Sequence, residues 1–127
     1  MQPTTRFFVA AFLGVAMLLA IDSPANQADA AKGKDLFARR CSGCHGTDTN
    51  KEGPLLRGVY GRKAAGVPGF PYSDSIKKLN LNWDEKSLDR WLTDPDAMAP
   101  DTDMAFRSPQ PDERKQLIAY LKSLSTK

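Results

Sequence analysis

Histidine, cysteine and methionine are scarce in this 127-residue chain, which has one histidine, two cysteines and four methionines. The histidine and both cysteines fall within the five residues from Cys41 to His45. A structural zinc site usually takes four cysteine or histidine ligands from two separated pairs. Because the chain has no second pair, its sequence does not favour a zinc site of the usual kind.

The sequence also lacks the patterns that mark several common classes of protein. No stretch alternates apolar and polar residues as a half-buried strand does, and we find neither an internal repeat nor a phosphate-binding loop. The formal net charge is only +3, without the concentrated basic stripe of a nucleic-acid-binding protein. These absences favour an all-α domain and exclude nucleic acid from the expected partners.

The segment from Cys41 to His45 has the sequence CSGCH, which is the spacing for covalent attachment of a c-type haem. The thiols of Cys41 and Cys44 can each add to one vinyl group of the porphyrin, and the two-residue spacer lets one turn of backbone span both vinyls. His45 then lies beside the iron and can be its proximal ligand. The pattern predicts one covalent haem c.

Other interpretations of the same residues remain open at this point. A thioredoxin-like pair needs flanking strands, a simple disulfide leaves His45 without a role, and a zinc ion would need a carboxylate ligand as well. Residues 33–40 are typical of a helix and residues 46–53 of a polar loop. These flanks favour the haem.

The first 30 residues are typical of a secretory signal peptide. A short polar region with one positive charge precedes the uncharged apolar run Phe7–Ile21, which is followed by the helix breaker Pro24 and by Ala28-Asp29-Ala30. We predict cleavage after Ala30, a mature domain of residues 31–127 and a periplasmic location, where c-type haem is attached in bacteria. The apolar run is short for a bilayer span of about 20 residues, so an anchor facing the periplasm is the alternative.

Three main helices and two long loops are predicted in the mature domain. The helices are Lys32–Arg40, a second that begins at the N-cap Asn82 and is stopped by Pro95, and a third that begins near Pro111, with a short helical turn at residues 73–79. Loops as long as residues 46–72 and 94–108 are uncommon in a compact domain. Their length indicates that they pack on a large cofactor.

A second axial iron ligand from this chain would have to be methionine, because His45 is the only histidine. Met1 and Met17 fall in the predicted signal peptide, which leaves Met98 and Met104. Both lie on the second long loop, and their spacing does not choose between them.

From Gly33 to about Lys122 the chain resembles the class I cytochromes c, in particular bacterial relatives of mitochondrial cytochrome c. The matching segments are GKDLFARRCSGCHG, GPLLRGVYGRKAAGVPGFPYSDS, NWDEKSLDRWLTDPDAMAPDTDMAF and DERKQLIAYL. The CSGCH motif alone is shared by many c-type cytochromes, whereas this ordered set is far more specific. The resemblance implies an all-α class I cytochrome c fold, with three main helices and long loops around one covalent haem.

The resemblance also implies roles for residues on the proximal side of the haem. Cys41 and Cys44 would carry the thioether bonds, and His45 would bind the iron. The backbone carbonyl of Pro54 would accept a hydrogen bond from the other imidazole N–H, which fixes the ring and raises its basicity.

On the distal side, Met104 matches the methionine ligand of the family, whereas Met98 matches an aromatic position. Four residues match positions that hold the haem propionates: Arg62, Tyr72, Trp83 and Thr102. Four others match the packing of the first and last helices: Gly33, Phe37, Leu117 and Tyr120.

Two departures from the family lie near the predicted distal side. Ile76 stands where the mitochondrial proteins carry asparagine, and Trp91 stands where they carry a tyrosine that hydrogen-bonds near the methionine sulfur. We expect a less polar distal side, and our hypothesis is that the Trp91 indole N–H replaces the phenol as donor.

The surface near Met104 departs from the family as well. Mitochondrial proteins surround the exposed haem edge with lysines, whereas this loop carries four acidic residues: Asp94, Asp96, Asp101 and Asp103. They are either solvated loop charges or the sign of a partner without a strong acidic patch. The second interpretation predicts association rates that fall less with salt than those of the mitochondrial proteins.

The sequence therefore predicts a monomeric one-electron carrier with no enzymatic activity. Ligation by His45 and Met104 would fill both axial positions, so the iron could change oxidation state without binding a substrate. Expected donors are a quinol-oxidising complex or a dehydrogenase, and expected acceptors are an oxidase, a peroxidase or a photosynthetic centre. The alternative is a haem enzyme or a gas- or peroxide-binding protein with an open distal position.

Overall fold

A computed structural model describes residues 23–125 of the chain. Within these residues there are five helices and no strand, apart from an isolated antiparallel bridge between Lys63 and Asn82. The helices are α1 (Pro24–Arg40), α2 (Asp74–Lys77), α3 (Glu85–Thr93), α4 (Pro95–Met98) and α5 (Pro111–Ser123). The predicted all-α architecture with three main helices, α1, α3 and α5, is confirmed.

Helices α1 and α5 pack closely at Gly33. A Cβ atom built on Gly33 would lie 1.9 Å from the backbone oxygen of Gln116, so no other residue fits there without moving α5. Beside this point the rings of Phe37 and Tyr120 pack with their centroids 5.4 Å apart. The predicted packing role of Gly33 is therefore confirmed.

The core lies between these helices and the loops that follow them. Leu117, Ile118 and Leu121 form the buried face of α5, as their helical spacing predicts. Leu88 and Trp91 are buried on α3, which packs on α5. Full burial of each such side chain stabilises a fold by about 1.5–3 kcal/mol, so these faces fix how the helices are arranged.

Two helix starts differ from those predicted from the sequence. Helix α1 begins at Pro24 instead of Lys32, because proline is suited to the first helical position, where its missing N–H has no partner to lose. The N-cap of α3 is Asp84 instead of Asn82: the Asp84 carboxylate accepts from the Ser87 N–H at 2.7 Å, and the Ser87 hydroxyl accepts from the Asp84 N–H at 2.8 Å.

Residues 94–108, which we call the Met104 loop, are joined at their two ends. The N–H of Ser108 donates to the Leu92 carbonyl at 2.7 Å, and the Arg107 guanidinium lies 2.8 Å from the Asp94 carboxylate. The sequence predicts an extended loop here, but the segment contains the short helix α4, which Asp94 caps. Both ends of the loop are thus held at the C-terminus of α3.

The predicted apolar run Phe7–Ile21 lies outside the residues that the structure describes. Between residues 23 and 125 no helix is long and apolar enough to cross a membrane.

Candidate haem-binding site

The CSGCH motif forms one turn at the C-terminus of α1. The N–H of Cys41 donates to the Phe37 carbonyl at 2.9 Å, and the N–H of His45 donates to the Cys41 carbonyl at 2.8 Å. Both cysteines are free, with Cys41 half-buried and Cys44 exposed. A single turn thus presents the two thiols and the imidazole together, as attachment of a porphyrin requires.

The two thiols are unlike those of a redox-active pair. Burial raises the pKa of the Cys41 thiol to about 11, and a hydrogen bond to the Glu52 carboxylate raises the pKa of the Cys44 thiol. A thioredoxin-like site instead lowers the pKa of its reactive cysteine. The raised pKa values of both thiols do not favour the thioredoxin-like interpretation.

The ring of His45 is held from behind by residues 53 and 54. Its Nδ1 lies 2.8 Å from the backbone oxygen of Pro54, which is the contact that the resemblance implies. As the carbonyl can only accept, Nδ1 carries the proton and Nε2 keeps its lone pair for a metal. Burial lowers the pKa of the imidazole and so favours this neutral form.

Gly53 was not singled out from the sequence, although it shapes the same site. A Cβ atom at Gly53 would lie 2.4 Å from Cε1 of His45. Only glycine therefore lets the backbone pass this close behind the imidazole ring. Its position just before Pro54 was the one hint in the sequence.

Met104 and Trp91 are in direct contact. The Nε1 of Trp91 donates to the Sδ of Met104 at 3.1 Å, and the Trp91 side chain is buried against Trp83 with ring centroids 5.3 Å apart. The Thr102 hydroxyl accepts weakly from the Met104 N–H at 3.5 Å. Met98 lies elsewhere, in a cleft that Leu79 also lines.

Arg62 has one buried N–H group without a partner in the described part of the chain. Its two terminal nitrogens donate to the backbone oxygens of Leu55 at 2.9 Å and Arg57 at 3.2 Å, but its Nε has no hydrogen bond. Burial also lowers the pKa of the guanidinium. A buried, unpaired donor costs about 1–3 kcal/mol, and a propionate carboxylate would satisfy it, so this residue fits a haem.

The four residues that are predicted to contact the haem propionates lie in two regions of the structure. Trp83 lies beside Arg62, since the Trp83 N–H donates to the Arg62 carbonyl at 2.8 Å. Tyr72 belongs to the same region: its hydroxyl accepts from the Val67 N–H at 3.1 Å, so its own proton remains available to another acceptor. Thr102 instead lies with Met104.

Two of the four acidic residues of the Met104 loop stabilise the structure of the loop. Asp94 pairs with Arg107, and Asp96 accepts from the N–H of Asp101 at 3.0 Å. Asp101 and Asp103 are exposed. The loop is therefore less negative at its base than its composition indicates.

One structural residue behind the site was missed entirely. Arg114 donates to the Asp89 carboxylate at 2.7 Å and to the backbone oxygens of Ser108 at 3.0 Å and Pro109 at 3.1 Å. It thus joins α5, α3 and the end of the Met104 loop. In the sequence Arg114 directly follows Asp112 and Glu113 at the start of α5. This pattern does not distinguish an arginine that is bound by the fold from one that is exposed to solvent.

Comparisons with known proteins give relatives over most of the chain. The family model described as "Cytochrome c" matches residues 30–125. Cytochrome c of Euglena viridis is 40% identical over 99 residues, which cover 76% of this chain and 97% of that protein. Cytochrome c2 of Blastochloris viridis is 38% identical over 117 residues, which cover 88% and 91%. The structure of cytochrome cH from Methylobacterium extorquens superposes with a TM-score of 0.71 at 43% identity, covering 75% of this chain and 98% of that one.

Proposed function

The chain belongs to the class I cytochromes c, a family of electron carriers with one covalent haem c, and from this premise we propose that His45 and Met104 are the two axial ligands of a periplasmic one-electron carrier. The haem supplies the redox chemistry, because its iron gains and loses one electron between Fe(III) and Fe(II). The protein holds the ligands, neutralises the propionates and excludes water. No catalytic residue is assigned.

The observation that carries this proposal is the hydrogen bond from the buried Trp91 to the sulfur of the half-buried Met104. A methionine sulfur that is held in place by a buried donor is preorganised to stay at one position when the iron changes oxidation state. At the other proposed ligand, the Pro54 carbonyl holds the His45 ring in the tautomer that binds metal. Ligation by methionine and histidine raises the reduction potential, which suits a carrier that passes electrons to a strong oxidant.

We assign the thioether bonds to Cys41 and Cys44 and the propionate contacts to Arg62, Tyr72, Trp83 and Thr102. The buried, unpaired Nε of the half-buried Arg62 is the strongest support among these. Thr102 is the weakest, because its hydroxyl already contacts the backbone beside Met104.

The partners that fit this carrier are other redox proteins outside the cytoplasm. The donor would be a quinol-oxidising complex or a dehydrogenase, and the acceptor an oxidase, a peroxidase or a photosynthetic centre. A monomer that meets each partner through a small, transient interface can shuttle between them. The signal-peptide pattern of the first residues supports export, with a membrane anchor as the outcome if that segment is retained.

The competing function is a haem enzyme or a gas- or peroxide-binding protein with an open distal position. It requires Met104 to leave the iron unbound. The chain has no histidine besides His45 to assist cleavage of an O–O bond, and the Trp91 contact holds Met104 in place, so the carrier is favoured.

An optical spectrum of the holoprotein tests the two functions. The oxidised protein is expected to show the weak long-wavelength band of an Fe(III)–methionine bond, and the reduced protein is expected not to change when carbon monoxide is added. A carbon monoxide adduct that forms at once in the unmodified protein would contradict the carrier and support the open site.

Stopped-flow electron transfer tests the kind of partner. The negative charge of the Met104 loop is only partly neutralised, and the loop has no ring of lysines that would attract an acidic partner. Association rates are therefore expected to fall only weakly as ionic strength rises. Rates that fall steeply would contradict this part of the proposal.

A further inference from the structure

Residues 26–30 of α1 are part of the folded domain. The helix begins at Pro24 and runs without a break through this segment. On the next turn, the Asp29 carboxylate lies 3.0 Å from the Nζ of Lys115 on α5, and the Asp29 side chain is only 19% exposed. Cleavage after Ala30, as the sequence predicts, would remove this ion pair.

The same turns also contribute to a cleft between three helices. Asn26 and Asp29 of α1 line it together with Glu85 of α3 and Lys115 and Ile118 of α5. The segment 26–30 therefore contributes to the surface of the domain, instead of projecting from it as a removable tail.

We propose that the signal peptide is removed by cleavage of the Ala25–Asn26 bond, so that residues 26–30 remain in the mature protein. Ser23 and Ala25 supply the two small residues that the cleavage rule requires. The reaction is hydrolysis: one water is added, and the products are a carboxyl group on Ala25 and an amine on Asn26. The inference rests on the export that is part of the proposed function.

The two cleavage positions would leave helix N-termini of different stability. A chain that begins at Asn26 has a residue type preferred at the N-cap, and Asp29 follows three positions later in the first turn, where a negative charge complements the helix dipole. A chain that begins at Ala31 has Lys32 and Lys34 in its first turn with a terminal ammonium group, which the dipole disfavours. It would also leave Lys115 without Asp29.

The N-terminus of the exported holoprotein tests the inference directly. The full chain is expressed in a bacterium that attaches c-type haem, and the haem-containing product of the periplasmic and membrane fractions is examined by intact mass and N-terminal sequencing. Asn26 is the expected first residue. A first residue of Ala31, lighter by the five residues 26–30, would overturn the inference, and so would a chain that still begins at Met1.

A matched pair of variants identifies which alanine the signal peptidase recognises at the cleavage site. Ala25→Leu blocks the proposed site and is expected to abolish the product that begins at Asn26. Ala30→Leu is the control and is expected to leave that product unchanged. If Ala30→Leu alone prevented processing, cleavage after Ala30 would be established instead.

The haem spectrum of the same preparation separates this inference from the proposed function. A holoprotein with the Fe(III)–methionine band that begins at Ala31 would overturn the cleavage position and leave the electron carrier standing. A protein that begins at Asn26 but binds carbon monoxide at once would support the cleavage position and contradict the carrier.

Discussion

The indole Nε1 of Trp91 donates to the Sδ of Met104 at 3.1 Å, where the buried Trp91 of α3 meets the half-buried Met104 of the Met104 loop. The sulfur of a methionine is a weak acceptor, so a buried indole that points to it has a specific effect. The bond draws electron density away from the sulfur and holds the side chain in one position. Both effects would favour Fe(II) and a closed distal site.

Replacing Trp91 by phenylalanine removes the donor and keeps an aromatic ring. A hydrogen bond contributes about 0.5–1.5 kcal/mol net, so we expect the reduction potential to fall by roughly 20–60 mV for one electron. The alkaline transition, in which methionine leaves the iron, is expected at lower pH. Potentiometry and a pH titration of the long-wavelength band measure these changes.

Trp91→Tyr is the conservative control, since a phenol is also a donor. We expect it to shift the potential less than Trp91→Phe does. Equal shifts in the two variants would assign the effect to lost packing, and no shift in either would remove Trp91 from the site.

Replacing each methionine by leucine distinguishes the two candidates for the distal ligand. In Met104→Leu the long-wavelength band is expected to vanish and the reduced protein to bind carbon monoxide. In Met98→Leu, a swap of similar volume in the other cleft, the spectrum is expected to stay unchanged. The reverse pattern would make Met98 the ligand.

Arg62 is expected to control the ionisation of a haem propionate. In Arg62→Met the carboxylate loses its cation, so its pKa is expected to rise by about 1–3 pH units and the potential to fall and become pH-dependent. Arg57→Met is the matched control, because Arg57 pairs with Asp48 at the surface of the same loop. A potential with the same pH profile in all three proteins would contradict the assignment.

Gly33→Ala is expected to destabilise the fold, because the added methyl group overlaps the Gln116 carbonyl and helices α1 and α5 must move apart. Overpacking of this kind costs about 1–3 kcal/mol. Denaturant unfolding followed by circular dichroism measures it. The control is Gly43→Ala, which meets no protein atom within 4 Å and is expected to unfold like the unmodified chain.

Asp94 gives the fold a defined dependence on pH. The hydrogen bond from Arg107 holds the pKa of the Asp94 carboxyl below its usual value. The stability it contributes is present above the unfolded pKa of about 3.9 and is lost as pH falls through the lower folded pKa. Asp94→Asn is therefore expected to melt below the unmodified protein at neutral pH, and the gap is expected to close in acid.

Asp103→Asn is the control for that series, as Asp103 is an exposed carboxylate of the same loop. We expect its melting temperature to follow that of the unmodified protein at every pH. A gap for Asp94→Asn that persisted in acid would assign the effect to the side-chain geometry instead of the charge.

The sequence predicted the haem and narrowed its ligands because those residues are rare. With one histidine and two methionines in the mature chain, counting was enough to reduce the ligand sets to two, and the family pattern then favoured Met104. The roles of these residues stay predictions. Close helix packing at Gly33 was also predictable, since a glycine within an amphipathic helix rarely has another reason to be there.

Other features have no local pattern in the sequence. Asn82 and Asp84 are both good N-caps, and the choice of Asp84 depends on Ser87 and on the bridge that binds Asn82 to Lys63. Pro24 suits a helix start as well as the break after an apolar run, and the contact of Asp29 with Lys115, 86 positions away in the chain, has no local signal in the sequence. Arg114 binds Asp89, which lies 25 positions away in the chain, and a contact over that distance leaves no periodic pattern in the sequence.

The joined ends of the Met104 loop have a consequence for how Met104, the proposed distal ligand, could leave the iron and return. Because Leu92, Asp94, Arg107 and Ser108 close the loop at its base, the segment between them can detach as one cooperative unit while α1, α3 and α5 remain folded. The entropy of closing such a short loop is small, so the detached segment returns readily. We therefore expect opening at this loop to be reversible and to cost less free energy than global unfolding.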